Sequence, residues 1–375
     1  MKRQIVFIIA AICLLACDGS SQLWAQQDPP RTAAQGDIIQ MPVARAAHSV
    51  AALPDGRVLL IGGCVSESCE AGPDSATVDA FDPVMRRFLR VGILAGPRIS
   101  AAAIPMLTEG ILIAGGWAGR SVSNQVEMFI PRSGKSRLVQ PLSVARADIA
   151  AVRLPDGRVV LAGGYDGHDA VAIIEIFDPR SDRLHKAGNL LTPRAGAGIA
   201  LLPDGRILLA GGGAKGLRPT TSAEIFDPAT GSSTSVGSLQ QARYKHALQS
   251  LGEGRVLAIG GSDHRDRRGK LNTIERFDIA TMRFEHAGVM REPRFKIPAA
   301  VQLLPNGKVI IAGGALRAEI YDPATGRSDL VGPNFGKRLN FATATLLKDG
   351  SVLVAGGYDE AGIRMNDRAW VIRSP

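Results

Sequence analysis

Seven arginines recur along the 375-residue chain, at Arg45, Arg98, Arg146, Arg194, Arg243, Arg294 and Arg338, with a mean spacing of 293/6, or about 49 residues. A guanidinium presents a planar fork of donors that meets a carboxylate or sulfate at two points, so a periodic set of them is a candidate anion-binding array. Two members carry further basic groups: Arg243 is followed by Tyr244, Lys245 and His246, and Arg294 by Phe295 and Lys296. General acid–base chemistry would fall to His48, His246 or Asp148, each two or three residues beyond an arginine. No nucleophile elbow, phosphate-binding loop or zinc motif occurs in the sequence.

The elements that must position these groups repeat with the same period. Each arginine opens a unit of four short strands. The second strand ends in a glycine pair, beginning at Gly62, Gly115, Gly163, Gly211, Gly260, Gly313 and Gly356. The first two strands are joined by a Leu-Pro-Asp-Gly turn at Leu53, Leu154 and Leu202, with Leu304-Pro-Asn-Gly a close variant. The third strand ends in Glu-x-Phe/Tyr-Asp-Pro at Glu175, Glu224 and Glu319. Seven antiparallel four-stranded units predict an all-β propeller over residues 36–375, and a period near 50 is that of kelch units rather than WD40 units. The last unit lacks a fourth strand, and Ile38 to Arg45 repeats the pattern of Leu138 to Arg146, so the N-terminal strand is expected to close the seventh blade.

These signatures resemble the kelch-repeat family, over roughly residues 36 to 373. The tryptophan that kelch units often carry after the Asp-Pro turn is replaced here by Phe88, Leu138, Leu184 or Phe284. The resemblance brings the galactose oxidase type of propeller into view, whose copper site uses an adjacent Tyr-His pair and a tyrosine crosslinked to cysteine. None of Tyr165, Tyr244, Tyr321 and Tyr358 is followed by His. No metal or cofactor is therefore expected. Some periplasmic kelch proteins are mutarotases of acidic sugars such as sialic acid, which gives an enzymatic alternative to a non-catalytic binding or scaffolding module.

Strand parity puts the arginines and the Gly-Gly loops on one face and the Pro-Asp-Gly and Asp-Pro turns on the other. First strands line a propeller channel, so the arginines would ring its mouth. Neighbours about 10 Å apart repel by about 0.4 kcal/mol in water and about 1.7 kcal/mol at an effective dielectric of 20. The repulsion must be offset. Either acids of the third strands, such as Glu127, Glu175, Glu224, Glu275 and Glu319, pair with the arginines, or some arginines, with Lys245, His246 and Lys296, bind an anionic ligand.

The N-terminus reads as a targeting segment, with Lys2 and Arg3 before the apolar run Ile5 to Ala16. Leu14-Leu15-Ala16-Cys17 resembles a bacterial lipobox, which implies a signal peptide over 1–16, lipidation at Cys17 and a Ser-, Gln- and Pro-containing tether over 17–35. Export to the periplasm or cell envelope, with a lipid anchor in a membrane, is expected. Cys64 and Cys69 share one loop, which suits a local disulfide in an oxidising compartment. Without Lys2 and Arg3 the chain carries 42 basic and 35 acidic residues, net +7, which favours an anionic small molecule, an acidic polysaccharide or an acidic protein surface as partner. Nucleic acid is not expected of an exported chain with 5% aromatic residues. A monomer is expected.

Overall fold

In each unit the second strand is apolar at successive positions because both of its faces are covered. In the computed structural model, which describes residues 37–264, 267–359, 361 and 363–373, Val58–Ile61, Ile111–Ala114, Val159–Ala162 and Ile207–Ala210 are buried at every position. Successive side chains of a strand point to opposite faces of its sheet. Leu59 and Ile61 accordingly pack on Ile111, Ile113 and Phe129 of the next sheet, while Val58 and Leu60 pack on Leu353 and Val371 of the last one. Each sheet thus shares one core with the sheet before it and another with the sheet after it.

The result is a seven-bladed β-propeller of antiparallel four-stranded sheets. The first strands of successive blades, Ser49–Ala52, Ala102–Pro105, Ala150–Arg153, Gly198–Leu201, Ala247–Gly252, Val301–Leu303 and Asn340–Leu346, touch in order around the axis, and the last touches the first. Blade 7 is completed by Asp37–Gln40, which pairs with Arg368–Ile372 from Asp37↔Val371 to Gln40↔Arg368. A short extra strand, Arg364–Met365, pairs with Val352–Asp359 of the same blade. Ile39 and Met41 are buried by this closure, whereas Ile38 is 59% exposed. The expected signal peptide, the tether and Cys17 lie outside the described residues.

The repeated turn residues have local reasons. Asp55, Asp156 and Asp204 each accept the backbone N–H of the arginine two residues on, which holds the Pro-Asp-Gly-Arg turns. The glycine pairs are required by close approach: a Cβ at Gly115, whose φ is +64°, would stand 2.2 Å from the carbonyl oxygen of Arg146 in the next blade. The loop between Cys64 and Cys69 is closed by a disulfide.

Candidate functional site

Six of the seven periodic arginines lie inside the scaffold. Arg45, Arg98, Arg146, Arg194, Arg243 and Arg294 are no more than 1% exposed. Each faces an acid on the third strand of its own blade: Asp79, Glu127, Glu175, Glu224, Glu275 and Glu319 in turn. Blade 4 shows the full arrangement. Arg194 donates to the Gly211 carbonyl at 2.6 Å and to Glu224 at 2.7 Å. Glu224 also accepts the N–H of Leu191 and of Thr192, which arrive from blade 3, and the Arg194 carbonyl accepts the N–H of Gly164 in blade 3. One ion pair therefore fastens two blades. Burial lowers the pKa of all six guanidinium groups against the pull of their acids, Arg146 to about 10.

The seventh place is filled differently. Gly357 and Gly63 donate to the carbonyls of Arg45 and Arg98, but the matching glycine of blade 6, Gly314, donates to Leu339. Leu339, one residue beyond the expected Arg338, holds the position. The acid's place on the third strand belongs to Trp370, which pairs with Val354 as Glu175 pairs with Leu161. Leu339 and Trp370 are buried in one apolar cluster. Arg338 points outward instead, 41% exposed and 2.8 Å from Glu292.

Two residues past each of these positions the chain turns through the left-handed region, at Ala47, Ser100, Asp148, Gly196, Lys245, Lys296 and Phe341, with φ between 49° and 59°. Six of these are not glycine, and each such residue costs about 1–2 kcal/mol in that conformation. A ring of backbone hydrogen bonds runs through them: Ser100 N–H to Ala47, Asp148 to Ser100, Gly196 to Asp148, Lys245 to Gly196, Phe341 to Lys296 and Ala47 to Phe341. The step from blade 6 to blade 5 is made by Ile297 N–H to Lys245. Strained backbone repeated at one ring around the axis marks the candidate site.

Side chains of this ring separate two cavities. The outer one, of about 570 Å³, opens on the Gly-Gly face and is lined by Asp148, Lys245, Lys296 and Phe341 with Trp117 and Tyr358. The inner one, of about 240 Å³, runs down the channel between small residues such as Ala101, Ala197 and Ala299. Asp148, Lys245 and Phe341 border both. The ammonium groups of Lys245 and Lys296 stand 4.8 and 5.3 Å from the centroid of the Phe341 ring. Lys245 is 3.2 Å from the Asp148 carboxylate, and Lys296 donates to the Tyr358 hydroxyl. Burial alone would lower the pKa of Lys245, but Asp148 and Tyr244 outweigh it and hold the ammonium above its ordinary value.

Of the residues expected to bind a ligand, only Lys245 and Lys296 line the outer cavity; the seven arginines and His246 do not. His246 and His48 occupy seams between blades, at a position held by Ile149 and Ile297 in blades 3 and 6. A Cβ at Gly211 of blade 4 would stand 2.8 Å from the His246 ring, and His48 bonds the Thr343 hydroxyl at 3.0 Å. Burial first, then the neighbouring guanidinium groups, push both imidazoles down to about 3, so they are neutral at physiological pH. Asp148 alone of the three acid–base candidates borders the outer cavity. Phe341, Trp117 and Tyr358 are additional site residues, and Phe341 went unseen because its place in the ring is fixed by Leu339, which the period of the arginines passes over.

No protein-family model matches the chain, and no curated protein matches it in sequence. Among solved structures it is similar to a fungal alcohol oxidase of the AA5 family in complex with copper, with a TM-score of 0.76 and 15% identity, covering 91% of this chain and 77% of that one. The shared property is the propeller fold. The mouth described here is not a fit for copper: Lys245, Lys296 and Arg120 stand among the carboxylates Asp148, Glu67 and Glu70, no histidine lines the outer cavity, and no three potential ligands converge among the described residues.

Proposed function

We propose that this chain is an exported kelch-type propeller that acts as a non-catalytic binding module, taking an anionic ligand into the outer cavity on its Gly-Gly face. The observation that carries the reading is the pair of ammonium groups flanking Phe341 in a cavity of about 570 Å³, whose outer lining adds Trp117 and Tyr358 with Arg120, Glu67 and Glu70. Lys245 and Lys296 take the anion, while Phe341 and Trp117 offer flat faces to an apolar surface of the ligand. The buried arginines brace the blades that hold this ring in place. Lipid anchoring at Cys17 would hold the module at a membrane, and the Cys64–Cys69 disulfide supports an oxidising compartment.

Thermal unfolding of the purified protein against a panel of acidic sugars and their polymers at low salt tests the reading. A ligand at about 100 times its dissociation constant adds roughly 2.7 kcal/mol, which moves the midpoint by several degrees. The shift is expected with an acidic member of the panel and lost when Lys245 and Lys296 are both replaced by Ala. No shift from any anion, or a shift that survives the double replacement, overturns the proposal.

A further inference from the structure

Three consecutive members of the strained ring, Asp148, Gly196 and Lys245, come from blades 3, 4 and 5. Gly196 has no side chain, and a Cβ there would meet Tyr244 at 3.0 Å and Lys245 at 3.2 Å. The space above it is crossed by the Asp148–Lys245 pair, whose side chains are 17% and 15% exposed. The Asp148 carboxylate therefore sits on the inner wall of the outer cavity, against the same ammonium that an incoming anion would need. A carboxylate of the protein already occupies a carboxylate position.

Resting on the anion-binding reading above, we propose that Asp148 is a built-in competitor for the ligand, and that the ligand group it stands in for is a carboxylate on a ring-sized body, as in a uronic acid. On binding, the ligand carboxylate takes the place of the Asp148 carboxylate on Lys245 and also meets Lys296, and its ring lies against Phe341. Asp148 then sets the affinity in two ways: it must give up its own ion pair, and its charge repels the arriving anion. The N–H and C=O of residue 148 that join the ring belong to the backbone, so the ring does not depend on the carboxylate, whose structural part is its pairing with Lys245.

Asp148→Asn separates this role from a structural one. Asparagine is well tolerated at left-handed φ and keeps the shape of the side chain and an acceptor oxygen for Lys245, so the variant keeps the backbone ring, and its unfolding midpoint reports what the lost ion pair costs. Titration calorimetry of the full chain with galacturonate and glucuronate, using galactose and glucose as neutral counterparts, gives the measure. Removal of a like charge a few ångströms from the bound carboxylate is expected to tighten uronate binding by about tenfold or more and to leave the neutral sugars unaffected. Lys245→Gln is expected to abolish the uronate signal in both backgrounds. If the unaltered protein binds a uronate and D148N binds it equally or more weakly, Asp148 is a ligand-holding group and the competitor role is overturned, with the binding reading intact. If neither form binds a uronate, both the competitor role and the carboxylate class fall.

Discussion

A buried guanidinium–carboxylate pair is expensive to break on one side and cheap to replace as a whole, because the charge left behind has no water to solvate it. Both halves of that statement are present in one molecule here. Six blades keep the pair and the seventh has Leu339 and Trp370 in its stead, packed with Phe335, whose ring centroid is 4.8 Å from that of Trp370. Arg194→Ala leaves Glu224 buried with only backbone donors, and is expected to lower unfolding free energy by about 3–5 kcal/mol in denaturant titration. Arg338→Ala, which loses only a partly exposed contact with Glu292, is expected to stay within about 0.5 kcal/mol of the parent. Equal effects would show that the buried pairs do not brace the blades. His246 gives a second test. Its folded pKa of about 3 lies below the unfolded value of 6.5, so the unfolded chain binds a proton that the native one excludes as pH falls between those values. Stability is therefore greatest above about pH 6.5 and declines below it, by up to about 1.4 kcal/mol per pH unit for each such histidine. His246→Ile, which copies Ile149 and Ile297, is expected to flatten the decline between pH 6.5 and 4.5, as read from midpoints at successive pH values. An unchanged slope would mean that the imidazole is solvated.

At the scale of strands, the closure of blade 7 depends on alternation within four residues. Ile39 faces the core shared with blade 1 while Ile38 faces solvent. Ile39→Asp is expected to cost about 3 kcal/mol or more, because an unpaired carboxylate enters an apolar core, and Ile38→Asp to cost little. Melting curves that rank the two variants the other way round would place the strand one residue out of register. The strand itself could be read from the sequence because Ile38 to Arg45 repeats Leu138 to Arg146, and the glycine pairs and Asp turns were legible because steric need fixes their identity. The seventh arginine misled for a reason that the spacing contained. The buried arginines of blades 1, 4 and 5 bond a glycine carbonyl 17 residues on, and Leu339 keeps this distance to Gly356 where Arg338 stands 18 away. The irregular count was concealed by blade 6, whose interval is 19. The left-handed ring was not legible at all, because Ala, Ser, Asp, Gly, Lys, Lys and Phe share no side-chain property. What they share is a backbone conformation imposed by the neighbouring blade.

Across the whole molecule, charge is divided between two environments that salt reaches differently. The arginine–acid pairs lie between blades, out of solvent, and screening acts weakly on buried pairs. The ammonium groups of Lys245 and Lys296 border a cavity open to solvent, on a chain with a formal net charge of +9. Raising ionic strength from about 0.05 to about 0.5 M shortens the screening distance from roughly 14 to roughly 4 Å, less than the width of the molecule in both cases but crossing the dimensions of the mouth. The unfolding midpoint of the ligand-free protein is therefore expected to change by only a few degrees over this range, while the affinity for an acidic sugar falls several-fold. Measuring both on one preparation separates bracing charges from binding charges. A midpoint that drops steeply with salt would mean that the blade-to-blade pairs are open to solvent. An affinity that does not move would mean that contacts other than the two ammonium groups hold the ligand.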